Sequence, residues 1–457
     1  MKRYFFFLLW TLPLLGQSNS GELRLKVTDP DGFAVKSTVE LVSEGNQFRR
    51  ILVTDEAGSL VAKNLPFGLY RLQVSHEGFA QFSESIEVRS AVPADLKVQL
   101  SMPAVTTSVA VNAQETLIDP HRTGTINRIG ADTVADRITS LPGRSLVDLV
   151  NSQPGWLYEG NAVLHPRGSE YQTQFVVDGV PLTDNRSPSF GAEIEADDVQ
   201  SMSIYTANFP AEYGRKMGGV VEVVTAKDAQ PGFHGTAVAS GGSFGTAGGY
   251  LLTQYGWGKN ALELSADSTL TSRYLNPPVV QNYTNTATTG DFAVHYERDL
   301  TAKDRFGVIV RREFARFLVP NEQLQEAAEQ RQHRSNFETM GILSYQHIFS
   351  PNILGDVHVM VRDDSDNLSS NPQSTPIETF QDRGFREEYV KGSVSVHHGI
   401  QEWKAGFEGD FTSIREQFND RITDPAQFDP RTPATFNFFD SRLDLEQSAF
   451  VQDLIRL

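Results

Sequence analysis

The chain has 457 residues, enough for roughly three domains at ~150 residues each. It contains no cysteine, which excludes thiol nucleophiles, thiolate metal sites and any disulfide framework. With 40 Lys+Arg against 57 Asp+Glu the formal net charge is -17, the wrong sign for a protein that binds nucleic acid by neutralising phosphates.

Residues 1–20 read as a secretory signal. Met1-Lys2-Arg3 precedes an apolar run from Tyr4 to Leu15, and small or polar residues follow from Gly16 to Ser20. The run is shorter than the ~20 apolar residues a spanning helix needs, and no later segment matches it. A membrane-spanning β-barrel remains open.

Residues 21–102 are short β-type runs between turns. Leu23, Leu25 and Val27 alternate with Arg24 and Lys26 before Asp29-Pro30-Asp31-Gly32, and Val39 and Leu41 recur before Glu44-Gly45-Asn46. Seven strands fit this length as a small β-sandwich. The turns at Asp29-Pro30-Asp31-Gly32 and Asp55-Glu56-Ala57-Gly58, with Leu65-Pro66-Phe67-Gly68-Leu69-Tyr70 and Gly78-Phe79, resemble the carboxypeptidase regulatory-like, transthyretin-like domain. That resemblance implies a fold and no peptidase activity. Asp29, Asp31 and Asp55 are read as turn formers, since Asp and Gly in turns serve backbone geometry.

Residues 103–126 form a linker holding one extended stretch, Thr107-Ser108-Val109-Ala110-Val111, of the kind another sheet's edge can capture through backbone hydrogen bonds. From 127 to 228 the pattern turns mixed α/β. Helices are expected at 131–138 and 145–150, and strands at 162–165, 173–178, 199–205 and 219–225.

Four ordered blocks lie in this region. They are Arg167-Gly168; Asp178-Gly179 with Pro181; Tyr213-Gly214; and Gly218-Gly219 opening an apolar strand. Together they resemble the plug of TonB-dependent outer-membrane receptors, with Asn208-Phe209-Pro210-Ala211 departing from the family's glycine-proline step. Gly179 suits a tight turn, and Gly218-Gly219 a close approach of two backbones. Arg167 and Glu212 are expected to pair with a surrounding wall.

From 229 to 457 long segments alternate with period two. Leu262, Leu264 and Ala266 oppose Glu263, Ser265 and Asp267; Val357, Val359 and Val361 oppose Asp356, His358 and Arg362; Trp403, Phe407 and Phe411 oppose Lys404, Glu408 and Asp410. One face suits lipid and the other a polar interior. Asn367 to Glu387 and Phe418 to Phe439 read as long polar loops, and Asp363-Asp364-Ser365-Asp366-Asn367 as a solvated one. About ten strands fit, whereas the resemblance implies about twenty-two. The barrel is therefore expected to be partial, and the chain a fragment or the product of a truncated gene.

The expected fold class is mostly β: a transthyretin-like sandwich, a small α/β plug and part of an antiparallel transmembrane barrel. No nucleophile elbow, zinc-helix, phosphate-loop or dinucleotide motif is present, so no catalytic residue, metal or cofactor is expected. The resemblance implies energised uptake across the bacterial outer membrane, with the sandwich in the periplasm, strand 107–111 pairing with TonB, and the barrel facing lipid. The ligand is expected to be a small extracellular molecule, siderophore-like or an oligosaccharide. Trp156, Tyr158, Asp184, Asn185, Arg186 and Phe190 are the residues expected to meet it. A structural or adhesive surface protein without transport is the alternative.

Overall fold

The computed structural model describes residues 20–103, 126–137, 145–158, 164–167, 173–182, 194, 196–206, 209–214, 218–225 and 231–455. The signal segment, the coupling strand Thr107 to Val111, Gly168, and the loop residues Asp184, Asn185, Arg186 and Phe190 lie outside them.

Seven strands build the first domain: β1 (Ser20–Thr28), β2 (Thr38–Ser43), β3 (Phe48–Val53), β4 (Ser59–Pro66), β5 (Gly68–Ser75), β6 (Phe82–Val88) and β7 (Ala94–Gln99). They form two sheets, ordered β4-β1-β7 and β3-β2-β5-β6. The alternating residues Leu23, Leu25, Val27, Val39 and Leu41 face inward and meet Tyr70, Leu72 and Val74 in one apolar core. The aspartates act as turn formers. Asp29 Oδ1 accepts from the backbone N–H groups of Asp31 and Phe33 at 2.9 and 2.8 Å, and Asp55 Oδ1 accepts from that of Ser59 at 2.7 Å.

The second domain comprises β8 (Ile126–Ile129), α1 (Ala131–Ala135), α2 (Ser145–Asn151), β9 (Trp156–Tyr158), β10 (Leu164–Pro166), β11 (Thr173–Val177), β12 (Val180–Leu182), β13 (Val199–Tyr205) and β14 (Gly219–Thr225). Its main sheet runs β12-β11-β14-β13-β8, with the apolar β14 at the centre, while β9 and β10 pair separately. Pro181 sits on the edge strand β12, where its missing donor costs least.

The third region is one antiparallel sheet of ten strands in chain order. They are β15 (Gly232–Gly242), β16 (Thr246–Trp257), β17 (Asn260–Thr271), β18 (Ala287–Asp299), β19 (Asp304–Leu318), β20 (Gln332–Ser350), β21 (Ile353–Ser370), β22 (Ile377–His398), β23 (Gln401–Ile422) and β24 (Thr435–Ile455). A short helix, α3 (Gln323–Ala327), lies between β19 and β20. The alternation holds strand by strand. Asp356, His358 and Arg362 are buried while Val359 and Val361 face out; Lys404, Glu408 and Asp410 are buried while Trp403, Phe407 and Phe411 face out. A soluble protein buries its apolar face, and this wall buries its charged one.

Two loop expectations fail. Strands β21 and β22 run on through most of Asn367 to Glu387 and leave only 371–376 as their connection; β23 and β24 likewise leave 423–434. Polar composition does not mark irregular chain here, because hairpin strands beyond an apolar band keep pairing in water. Asn367 still pairs with Asp382, and the Phe418 and Phe438 rings stack at 5.7 Å. For the same reason Asp364 and Asp366 belong to β21 with their side chains buried, and Asp366 accepts from Arg334 at 3.0 Å. Four connections at one end, 258–259, 300–303, 351–352 and 399–400, are tight.

Candidate functional site at the plug and its wall

The second domain sits against the buried, charged face of the ten-stranded wall through both ionic and apolar contacts, all of them buried. Glu212 is the main anchor. Lys391 Nζ on β22 donates to its carboxylate at 2.9 Å, and Lys404 on β23 donates to the other oxygen. Burial alone would raise this carboxyl, but the two ammonium groups prevail and hold it at about 2. Lys391 also lies 3.7 Å from Glu408, so its charge is shared between domain and wall. On the other side Arg311 of β19 pairs with Asp198 of the domain and, at 3.0 Å, with Asp291 of the wall. Both guanidinium clamps and ammonium clamps therefore cross the boundary.

Next to Glu212 lies a second carboxylate, Glu222, alone among the valines of β14. Tyr205 donates to it at 2.9 Å, and Tyr213 donates to its other oxygen. Burial raises this carboxyl, the two hydroxyls oppose the shift, and the charge on Glu212 adds to it. The pair thus has one carboxylate pushed down and its neighbour pushed up. Tyr213 links them, since its ring also faces the Lys391 ammonium at 5.9 Å.

The motif residues divide by role. Asp178 and Gly179 both have positive φ, 50° and 84°, and form the two-residue turn that joins β11 to β12. Asp178 further accepts from the Thr225 hydroxyl at 2.8 Å, tying that turn to the end of β14. Gly219 is required by close packing, but against a side chain rather than a second backbone: a Cβ there would lie 2.5 Å from the Trp156 ring. Gly214 has open space around it, and Gly218 precedes β14.

Arg167 differs from the expectation. It is exposed, takes φ of 50°, and reaches Thr206 of its own domain at 3.5 Å; among the described residues the ion pairs to the wall are made by Glu212 and Asp198. Of the two described residues expected to face ligand, Trp156 is 8 % exposed and covers Gly219 and Pro166, so its ring lies in the domain core. Tyr158 ends β9, paired with Leu164. Sequence reasoning missed Asp198, Tyr205, Glu222, Lys391, Lys404 and Arg311. A signal existed for several: a lone carboxylate inside Val-Val-Glu-Val-Val, and cations on the inward register of wall strands.

A small α/β domain seated on the charged inner face of an outward-apolar antiparallel wall defines a plugged outer-membrane barrel architecture. Sequence comparison agrees. A model of the carboxypeptidase regulatory-like domain matches residues 22–101, and one of the TonB-dependent receptor plug domain matches residues 123–220. The TonB-dependent transporter Oar of Myxococcus xanthus is 26% identical over 217 residues, 45% of this chain and 20% of that protein. Among solved structures, the unliganded ferric citrate transporter FecA superposes with a TM-score of 0.55 at 13% identity, over 73% of this chain and 56% of that one. The RagAB peptide importer in its open-open state gives 0.51 at 11%, over 72% and 52%. The chain thus spans a fifth of the curated relative and about half of each structure. It carries a TonB-dependent receptor plug preceded by a carboxypeptidase regulatory-like domain, in the fold of TonB-dependent outer-membrane receptors, a family of transporters and receptors rather than enzymes.

Proposed function

We propose that this chain works in energised uptake of an extracellular ligand across the outer membrane, with TonB as its partner and the sandwich on the periplasmic side. The observation that carries the reading is the ionic seating of the plug: Glu212 between Lys391 and Lys404, and Asp198 on Arg311. Ion pairs across a polar boundary are directional and can exchange partners, so a pulled plug can leave the wall without unfolding it. By analogy with proteins of this fold the ligand is a metal chelate, as for the ferric citrate transporter, or a peptide, as for the peptide importer, and an oligosaccharide is the further class the loop aromatics suit. Tyr158, Asp184, Asn185, Arg186 and Phe190 are the proposed contacts.

Coupling is assigned to Thr107, Ser108, Val109, Ala110 and Val111. Because the chain has no cysteine, single cysteines at these five positions can be cross-linked to a cysteine in the periplasmic domain of TonB without a background. Strand pairing predicts cross-links strongest at alternate positions, and their loss when Val109→Pro removes a backbone donor. Absence of cross-links at all five positions would place the coupling segment elsewhere.

A further inference from the structure

The sandwich does not hang free of the receptor. Lys63 on β4 donates to Glu297 and Asp299 at the end of β18, at 2.7 and 2.8 Å, and Arg305 at the start of β19 reaches back to Glu22 on β1 at 2.6 Å. Burial would raise the Glu22 carboxyl, but Arg305 and Arg24 outweigh it and hold it below its ordinary range. Beside this charged latch, Ala91 and Val92 of the sandwich pack on Ile348 and Leu354, which flank a tight turn of the wall. A third contact goes to the plug. Arg128 of β8 donates to Asn46, and Gly130 lies so close to Gln47 that a Cβ would collide with its carbonyl oxygen.

These contacts surround a cavity of about 120 Å³ whose walls come from all three regions, Glu22 and Phe67 from the sandwich, Ser203 and Glu222 from the plug, Glu297 and His358 from the wall. We propose that the sandwich is a door on the plug: it closes the tight-turn mouth of the gap between plug and wall, and the Lys63 and Arg305 latch holds it shut. The latch couples the two movable parts. Any displacement of β8 pulls on Asn46 and Gln47, so the plug cannot leave its seat with the door closed.

The test uses the full-length receptor in outer-membrane vesicles and needs neither TonB nor ligand, so its outcome is independent of the uptake reading. A single thiol is introduced by Ser203→Cys, at the half-buried cavity-lining position on β13, and its labelling by a small maleimide is timed. A closed door makes labelling slow. Lys63→Glu, which sets a third carboxylate beside Glu297 and Asp299, and separately Val92→Asp, which breaks the apolar contact, are each expected to speed labelling at least about tenfold. A control thiol, Ala196→Cys in the plug core, should stay unlabelled throughout. Unchanged labelling of the Ser203 position in both variants would overturn the proposal. So would equal acceleration at the Ala196 position, which would mean that the plug loosens as a whole.

Discussion

The sandwich closes its core with its own residues, Leu23, Val39, Leu41, Leu72 and Val74 among them, whereas the plug's core is completed by Met340, Ile342, Met360 and Tyr389 from the wall. The sandwich builds its main core without the wall, which Ala91 and Val92 meet in a separate small cluster, whereas the plug's main core is incomplete without the wall. The difference extends to charge. Glu22 has one partner within its own strand, Arg24 at 2.6 Å, besides Arg305 of the wall, while both cations holding Glu212, Lys391 and Lys404, lie across the boundary. Where its partners reside thus separates a domain that completes its own core from one whose core the wall completes.

The largest test of this contrast is separation. A segment spanning 20–102 expressed alone should give dispersed amide resonances and a single cooperative urea transition, because its two sheets already bury their inner faces against each other. A segment spanning 126–225 should show neither, having lost the wall side chains that finish its core. Equal dispersion in the two spectra would end the comparison.

Charge provides the next test. Glu212→Ala leaves the buried Lys391 and Lys404 ammonium groups without their shared acceptor, and removing one partner of a buried pair costs about 3–5 kcal/mol. Protease susceptibility of the plug against urea, measured with the receptor in membranes, should shift by that amount. The pH dependence has a definite sign. The seated carboxyl is held at about 2, below its ordinary 4.5, so its contribution is complete above pH 4.5 and is lost as pH falls from 4.5 toward 2. Plug release that is flat over this range, in a protein whose wall stays folded, would remove Glu212 from the role of anchor.

Much of this was legible beforehand, for a local reason. Period-two alternation fixes which face a strand residue occupies, so the inward Lys404 and Glu408 and the outward Trp403 and Phe407 could be assigned from sequence alone. The Asp178-Gly179 turn was legible too, because few pairs tolerate two positive φ angles. What stayed hidden is long-range. Nothing near Glu212 in the chain marks Lys391 and Lys404 as its partners, and nothing near Arg167 distinguishes a wall contact from the exposed loop position it takes. Strand length is hidden too, because β21 and β22 continue by backbone pairing after their apolar content ends.

The smallest effect separates two glycines that the motif treats alike. At Gly219 an added Cβ would meet the Trp156 ring at 2.5 and 2.8 Å and Pro166 at 3.3 Å, so the indole must shift inside a packed core. Overpacking of this kind costs about 1–3 kcal/mol. At Gly214 nothing lies within 4 Å, and Gly214→Ala should stay within about 0.5 kcal/mol of the parent, as open sites do. Gly219→Ala should therefore lower the urea midpoint for plug release while Gly214→Ala does not, and the smaller ring of Trp156→Phe should recover part of the loss. Equal costs at the two positions would show that the Trp156 ring yields more easily than its burial implies.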